Sequence, residues 1–371
     1  MKDSRLFTPG PLTTSATVKA AMQRDIGSRE AEFIELVGNI RTELLRIAGV
    51  SKEAGYEAIP MQGSGTFAIE SVLSSVVPPN GHLLILANGA YGERMLQIAE
   101  RWKIPATIRR WPENESPDIE TVRGLLEQNP RPTHVAIVHL ETTTGILNPI
   151  DSIGRLVHQN GCGFIVDAMS SFGGVAIDLG NLGADYLISS PNKCLEGVPG
   201  FAFVIARRAA LQACTGFARS VSLDLLAQWK GLEGNGQFRF TPPTHALLAF
   251  AQALSELREE GGVIARAQRY RANHAALIAG MRKLGFREFL PPEKQSCVIT
   301  SFHYPDDNAF DFEAFYRRLA DKGMIIYPGK VSQTNCFRIG TIGRISVKDV
   351  QALVVAIDDV LRDLGLVKIH G

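Results

Sequence analysis

Long apolar runs are missing from this chain of 371 residues, and so is any surplus of charge. No segment approaches the roughly 20 apolar residues of a membrane span, and the opening MKDSRLFTPGPLTTS lacks an apolar stretch of signal-peptide length. The expectation is a cytoplasmic protein without a membrane partner. Lys plus Arg number 39 against 38 Asp plus Glu, a formal net charge of +1. No long-range field then favours nucleic acid, and any anionic ligand must be caught locally. Cysteine is sparse too. Cys162, Cys194, Cys214, Cys297 and Cys336 stand singly, without the CxxC spacing of a zinc or redox site. They read as buried or reduced thiols, and no metal is expected.

What is present is a globular composition, 45% hydrophobic and 21% charged, with no internal repeat or low-complexity tract. From about 55 to 210, short apolar runs alternate with helical stretches. HLLILA (82–87), HVAIVHL (134–140), GFIVDA (163–168), DYLIS (185–189) and FAFVIA (201–206) are near-continuous, as strands covered on both faces require. Between them, GERMLQIAERW and SIGRLVHQNG carry apolar residues at helical spacing. This order predicts an α/β fold with a mostly parallel sheet, whose ligands sit at the carboxyl ends of the strands. After about 244, ALLAFAQALSELREEGG and VIARAQRYRANHAALIAGMRKLG read as long amphipathic helices leading to a smaller α+β layer. Its strand candidates are CVITSFHY (297–304) and MIIYP (324–328), with a closing helix near 346–364. The expected division is an N-terminal arm (1–15), a large domain (16–261) and a small C-terminal domain (262–371). The first fifty residues, TPGPLTTS and the helix FIELVGNIRTELLRIAG, are assigned to the small domain or a subunit interface.

Four features fall at strand ends or loops, and each has a plainer alternative. Gly63, Ser64, Gly65 and Thr66 open an apolar helix, where backbone N–H groups, the helix dipole and hydroxyls suit an anion. A simple N-cap is the alternative. Asp167 ends a buried strand, where a carboxylate is costly unless a cation faces it or it caps the next turn. Lys193 lies in a loop between two apolar strands, followed by Gly197, Pro199 and Gly200. Such an amine can form a Schiff base once desolvation lowers its pKa, although most loop lysines are merely solvated. Arg338 in CFRIG sits between apolar neighbours, so it needs a bidentate anionic ligand or an internal salt bridge.

LFTPGPLTTS, QGSGT, NGAYGERM, HLETTTGILNPID, VDAMSSFGG, SSPNKCLEGVPGF, FTPPTH, IIYPGKVSQ and CFRIG together resemble the class V aminotransferases of pyridoxal phosphate (PLP) fold type I. The resemblance spans essentially the whole chain and implies a seven-stranded large domain. It implies Lys193 as the Schiff-base lysine and Asp167 as the pyridinium partner. Ser64, Gly65 and Thr66 would hold the cofactor phosphate, with Asn192 beside them. Tyr91 would stack on the ring, and Thr142 would approach the ring oxygen, with Thr143 as its rival. Thr241 would reach the phosphate of a neighbouring subunit, which implies a homodimer, and Arg338 would bind the acidic group of substrate. The implied activity moves the amino group of 2-aminoethylphosphonate to pyruvate, giving phosphonoacetaldehyde and L-alanine.

One departure stands out. Where many members carry an aromatic and acids after an Asp, in a DWCTWD-like stretch, this chain reads RDIGSREAEF. Arg29 then either brings a cation towards the substrate or pairs with Glu30 or Glu32. The nearest alternatives are an alanine–glyoxylate or serine–pyruvate type enzyme, or a related aminophosphonate transaminase. A PLP-binding scaffold need not keep the lysine. A nicotinamide oxidoreductase fails for want of a Gly-rich turn followed by a ribose-binding acid.

Overall fold

The structure is a computed structural model and describes residues 3–329 and 334–366. The last four residues of the IIYPGKVSQ motif lie outside the described residues, as do the ends of the expected arm and small domain.

Seven strands form one sheet in the spatial order Tyr56–Gln62, Phe201–Arg207, Tyr186–Ser189, Gly163–Asp167, His134–Val138, Leu83–Ala87 and Ala106–Arg110. Phe201–Arg207 runs antiparallel to both of its neighbours, and the other pairings are parallel. The central strands are buried on both faces, which explains their unbroken apolar runs. Burying such Ile, Leu and Val side chains contributes about 1.5–3 kcal/mol each. Two strands lacked that signature. Ala106–Arg110 is an edge strand with exposed polar positions, so its sequence alternates. Tyr56–Gln62 carries Pro60, which an edge position tolerates because it leaves one row of backbone groups unpaired.

The helices Ala90–Arg101, Ile150–Gln159, Thr244–Glu260 and Gly262–Lys283 fall on the predicted stretches. The last two are separated at Gly261, whose φ of +104° stops the first of them. The smaller layer is an antiparallel sheet in the order Ile299–His303, Cys336–Gly340 and Tyr327–Pro328. Phe302, Phe315, Phe337, Val350 and Ile357 form its core with the helices Phe312–Asp321 and Val347–Asp363.

Two local expectations change. MIIYP divides: Met324–Ile325 pairs in parallel with Arg5–Leu6, whereas Tyr327–Pro328 pairs with Cys336–Gly340. The first fifty residues also divide. Phe7 is buried in the core of the smaller layer, while the helix Ala31–Ile47 packs its Phe33, Val37, Ile40 and Leu44 into the core of the large sheet. Its apolar stripe at i, i+4 and i+7 needed a sheet face, and the strand Tyr56–Gln62 supplies one. Leu12, Leu140, Cys194, Tyr270, Ile299 and Ile342 make a separate cluster that joins the arm, the lysine loop and the smaller layer. Among the described residues no helix is long and apolar enough to cross a membrane, and no group of three His, Cys, Asp or Glu could hold a metal.

Candidate active site

Parallel strands aim their carboxyl ends at one edge of the sheet, and the connecting loops there enclose a cavity of about 350 Å³. Its wall includes Ser64, Gly65 and Thr66 from the start of the helix Gly65–Val76, and Tyr91 from the first turn of the helix Ala90–Arg101. Asp167 enters from the strand Gly163–Asp167, Thr142 from the hairpin after His134–Val138, and Asn192 and Lys193 from the loop before Phe201–Arg207. Of the eleven residues expected to hold the cofactor or substrate, eight therefore line one space.

Lys193 is held from the far side by the N-terminal arm. Its Nζ donates to the carbonyl oxygens of Pro9 at 3.0 Å and Gly10 at 3.4 Å. Burial pushes its pKa down to about 8; Asp167 and Cys194 oppose this, and the charge of Arg338 adds to it. The amine is thus far closer to its nucleophilic form than a solvated lysine. Asp167 is 4% exposed and accepts one backbone hydrogen bond, from Met169 N–H at 2.9 Å. Burial lifts its pKa to about 6, against the pull of that bond, of Lys193 and of Arg94. Such a carboxylate lacks compensation and suits a cationic ligand group.

The turn before Gly65–Val76 offers donors. Ser64 stands at the N-cap, yet its side chain makes no capping hydrogen bond, which leaves the hydroxyl and the first helical N–H groups for a ligand anion. A side chain at Gly65 would collide with the Met169 thioether.

Arg338 is 2% exposed and lies behind this wall. Its Nη1 donates to Thr142 O at 2.9 Å, while Nε and Nη2 donate to Pro328 O at 3.0 and 2.8 Å. Tyr327 lies under the guanidinium, 4.8 Å from ring centroid to Cζ. Carbonyls and an aromatic face orient the fork, and among the described residues no carboxylate pairs with it. The internal salt bridge offered as its alternative is therefore not formed there. Thr143, the rival of Thr142, turns away and donates through Oγ1 to Glu141 at 2.8 Å.

Thr241 and Arg29 lie outside the cavity wall of this chain. Thr241 is exposed beside Phe240, and its carbonyl accepts a long 3.4 Å bond from Gln62 Nε2. Arg29 is exposed on a turn. Its suggested partners are taken: Glu32 pairs with Arg24, and Glu30 accepts from Gly27 N–H.

Sequence reasoning missed Pro9, Gly10, Arg94 and Glu141 as members of this site. Glu141 is fully buried and joins two walls, accepting from Tyr91 N–H at 3.2 Å and from Thr143 N–H at 3.2 Å. Burial raises its pKa to about 7. The arm residues lie in the motif LFTPGPLTTS, but their contact with the lysine depends on a chain reversal that brings residue 9 to residue 193.

A family model described as Aminotransferase class-V matches residues 13–348. The 2-aminoethylphosphonate–pyruvate transaminases of Salmonella typhimurium and Salmonella schwarzengrund are each 52% identical over 354 residues, 95% of this chain and 96% of theirs. Among solved structures, the alanine–glyoxylate aminotransferase of a Nostoc species matches with a TM-score of 0.89 at 26% identity, covering 98% of this chain and 96% of that one. The pyridoxamine–pyruvate aminotransferase of Mesorhizobium loti matches with a TM-score of 0.89 at 25% identity, covering 98% and 93%. The chain belongs to the class V aminotransferases, enzymes that work with pyridoxal phosphate.

Proposed function

We propose that this chain moves the amino group of 2-aminoethylphosphonate to pyruvate, giving phosphonoacetaldehyde and L-alanine. The observation that carries this reading is Arg338: a buried guanidinium, oriented by carbonyls and unmatched by a carboxylate among the described residues, that lies directly behind Thr142 in the wall of the Lys193 cavity. A single cation can serve the phosphonate and the carboxylate in alternate half-reactions. The 52% identity to transaminases of that name supports the choice of donor.

The donor set fits PLP. An under-compensated buried carboxylate, a buried amine of depressed pKa and an anion-binding turn lie around one cavity. Bound there, PLP supplies a carbonyl that exchanges amines and a ring that takes up the electrons of a broken C–H bond. In this reading Lys193 would hold the cofactor, and its Nζ would also be the group that moves the proton at the donor carbon. Asp167 would hold the pyridine nitrogen in its protonated form. Ser64, Gly65 and Thr66 hold the phosphate, with Asn192 beside them. Tyr91 would supply an aromatic face for the ring, and Thr142 a polar group for the ring oxygen. Thr241 reaches the site of a partner subunit in a homodimer, and Arg29 assists with the phosphonate. The chain works in the cytoplasm, with an arm over 1–15, a large domain over 16–261 and a small one over 262–371.

The test is alanine production from pyruvate with a panel of amino donors. Turnover should be fastest with 2-aminoethylphosphonate, and a preference for serine, or for alanine with glyoxylate as acceptor, would assign the chain to the alternative branch.

A further inference from the structure

Arg94 follows Tyr91 by three residues in the helix Ala90–Arg101, so the two side chains share a face. The guanidinium carbon stands 5.0 Å from the Tyr91 ring centroid, and Nη1 lies 3.3 Å from Thr66 Oγ1. Both contacts are to neutral groups, and Arg94 itself lines the Lys193 cavity. The acids nearest in sequence or space are committed elsewhere. Glu93 pairs with Arg110 at 2.6 Å, and Glu141 is occupied by Tyr91 N–H and by Thr143. Asp167 feels the charge of Arg94 without hydrogen-bonding to it. A planar fork of five donors, with one long bond to a hydroxyl and no carboxylate partner among the described residues, thus opens onto a ligand space.

The other donors of that corner are neutral. Ser64, Thr66 and the helix N-terminus supply hydrogen bonds and a partial positive charge, whereas a phosphoryl group carries close to two negative charges. Lys193 is turned towards Pro9 and Gly10, and Arg338 is held behind Thr142. We infer that Arg94, together with Thr66, binds a phosphoryl dianion in this cavity and supplies the full positive charge that the Ser64–Thr66 turn lacks.

This inference rests on the reading of that turn as the phosphate-holding one. The dianion is the phosphate of the cofactor or the phosphonate of the donor, and two measurements separate them. In the first, apoenzyme is titrated with PLP and with pyridoxal, which has the same ring and aldehyde but no phosphate. Arg94→Ala should weaken PLP binding roughly ten- to hundredfold, as expected for lost hydrogen bonds to a charged group, and leave pyridoxal binding unchanged. Arg94→Lys should recover part of the loss, since it keeps the charge without the fork. In the second, a PLP affinity kept by Arg94→Ala, with the KM for 2-aminoethylphosphonate raised tenfold or more and that for pyruvate unchanged, places the substrate phosphonate there. Equal weakening of PLP and pyridoxal would overturn the inference, because it marks a packing role. So would unchanged behaviour in both measurements. Thr66→Ala serves as the control for the underlying reading. If it loses the preference for PLP over pyridoxal while Arg94→Ala changes neither that preference nor the KM for 2-aminoethylphosphonate, the turn stands and the inference about Arg94 fails.

Discussion

Lys193 and Gly10, 183 residues apart in sequence, are in contact: Nζ of the lysine lies 3.4 Å from the carbonyl oxygen of Gly10, and a Cβ built on Gly10 would fall 2.6 Å from the lysine Cδ. Gly10 also has a φ of +118°, which L side chains rarely adopt. Gly10→Ala should therefore displace the amine. A Cβ there would also fall 2.7 Å from the backbone oxygen of Asn192, so the expected result is at least a tenfold loss of PLP affinity together with a lowered melting temperature. Unchanged PLP affinity would contradict the role of the arm.

Asp167 is expected to be the more severe substitution. Asp167→Ala should weaken PLP binding and cut turnover by several orders of magnitude, while Asp167→Glu keeps part of the activity. Each tenfold corresponds to roughly 1.4 kcal/mol of barrier, so even partial loss is measurable by steady-state kinetics. Near-normal turnover in the alanine variant would remove the assigned partner of the ring nitrogen.

The depressed pKa of Lys193 has a direct kinetic readout. A neutral amine attacks a carbonyl, and a pKa of about 8 means that form predominates above pH 8. The rate at which apoenzyme captures PLP, followed by absorbance, should rise with pH through about 8 and then level off. Asp167→Asn should move the midpoint down, because the carboxylate opposes the depression. A rate still climbing near pH 10 would indicate an ordinary solvated lysine.

Arg338 combines charge with a fixed fork. Arg338→Lys should raise the apparent KM for both 2-aminoethylphosphonate and pyruvate. Arg338→Ala should cost roughly 2 to 5 kcal/mol in kcat/KM, by analogy with truncated buried ion pairs, while PLP remains bound. Arg29→Ala should impair only the phosphonate half-reaction. Stopped-flow measurement of each half-reaction alone resolves these cases, and two unaffected half-reactions in Arg338→Ala would place the anion site elsewhere.

Much of this was legible in the sequence because the relevant signals are local. Buried parallel strands announce themselves as apolar runs, so the strands that end at Asp167 and precede Lys193 are plain. The motifs around Ser64, Tyr91, Thr142 and Asn192 sit at the ends of such elements and converge on one cavity. Edge strands were obscure, because Ala106–Arg110 is half exposed and Tyr56–Gln62 contains a proline. Pro9, Gly10 and Glu141 were missed for a different reason: each acts through a contact whose partner is chosen by tertiary folding. Arg94 belongs to the NGAYGERM motif, but nothing in its spacing indicates that it opens onto a cavity. Thr241 and Arg29 stand outside the wall of one chain, and the role proposed for Thr241 requires a second subunit.

The claim on which the rest depends is that Lys193 carries the cofactor. Borohydride reduction of the purified holoenzyme, followed by proteolysis and mass spectrometry, tests it in one measurement. The account predicts loss of the yellow colour and a phosphopyridoxyl group on Lys193 alone. A modified residue other than Lys193, or complete release of unreacted cofactor on denaturation after reduction, would contradict it.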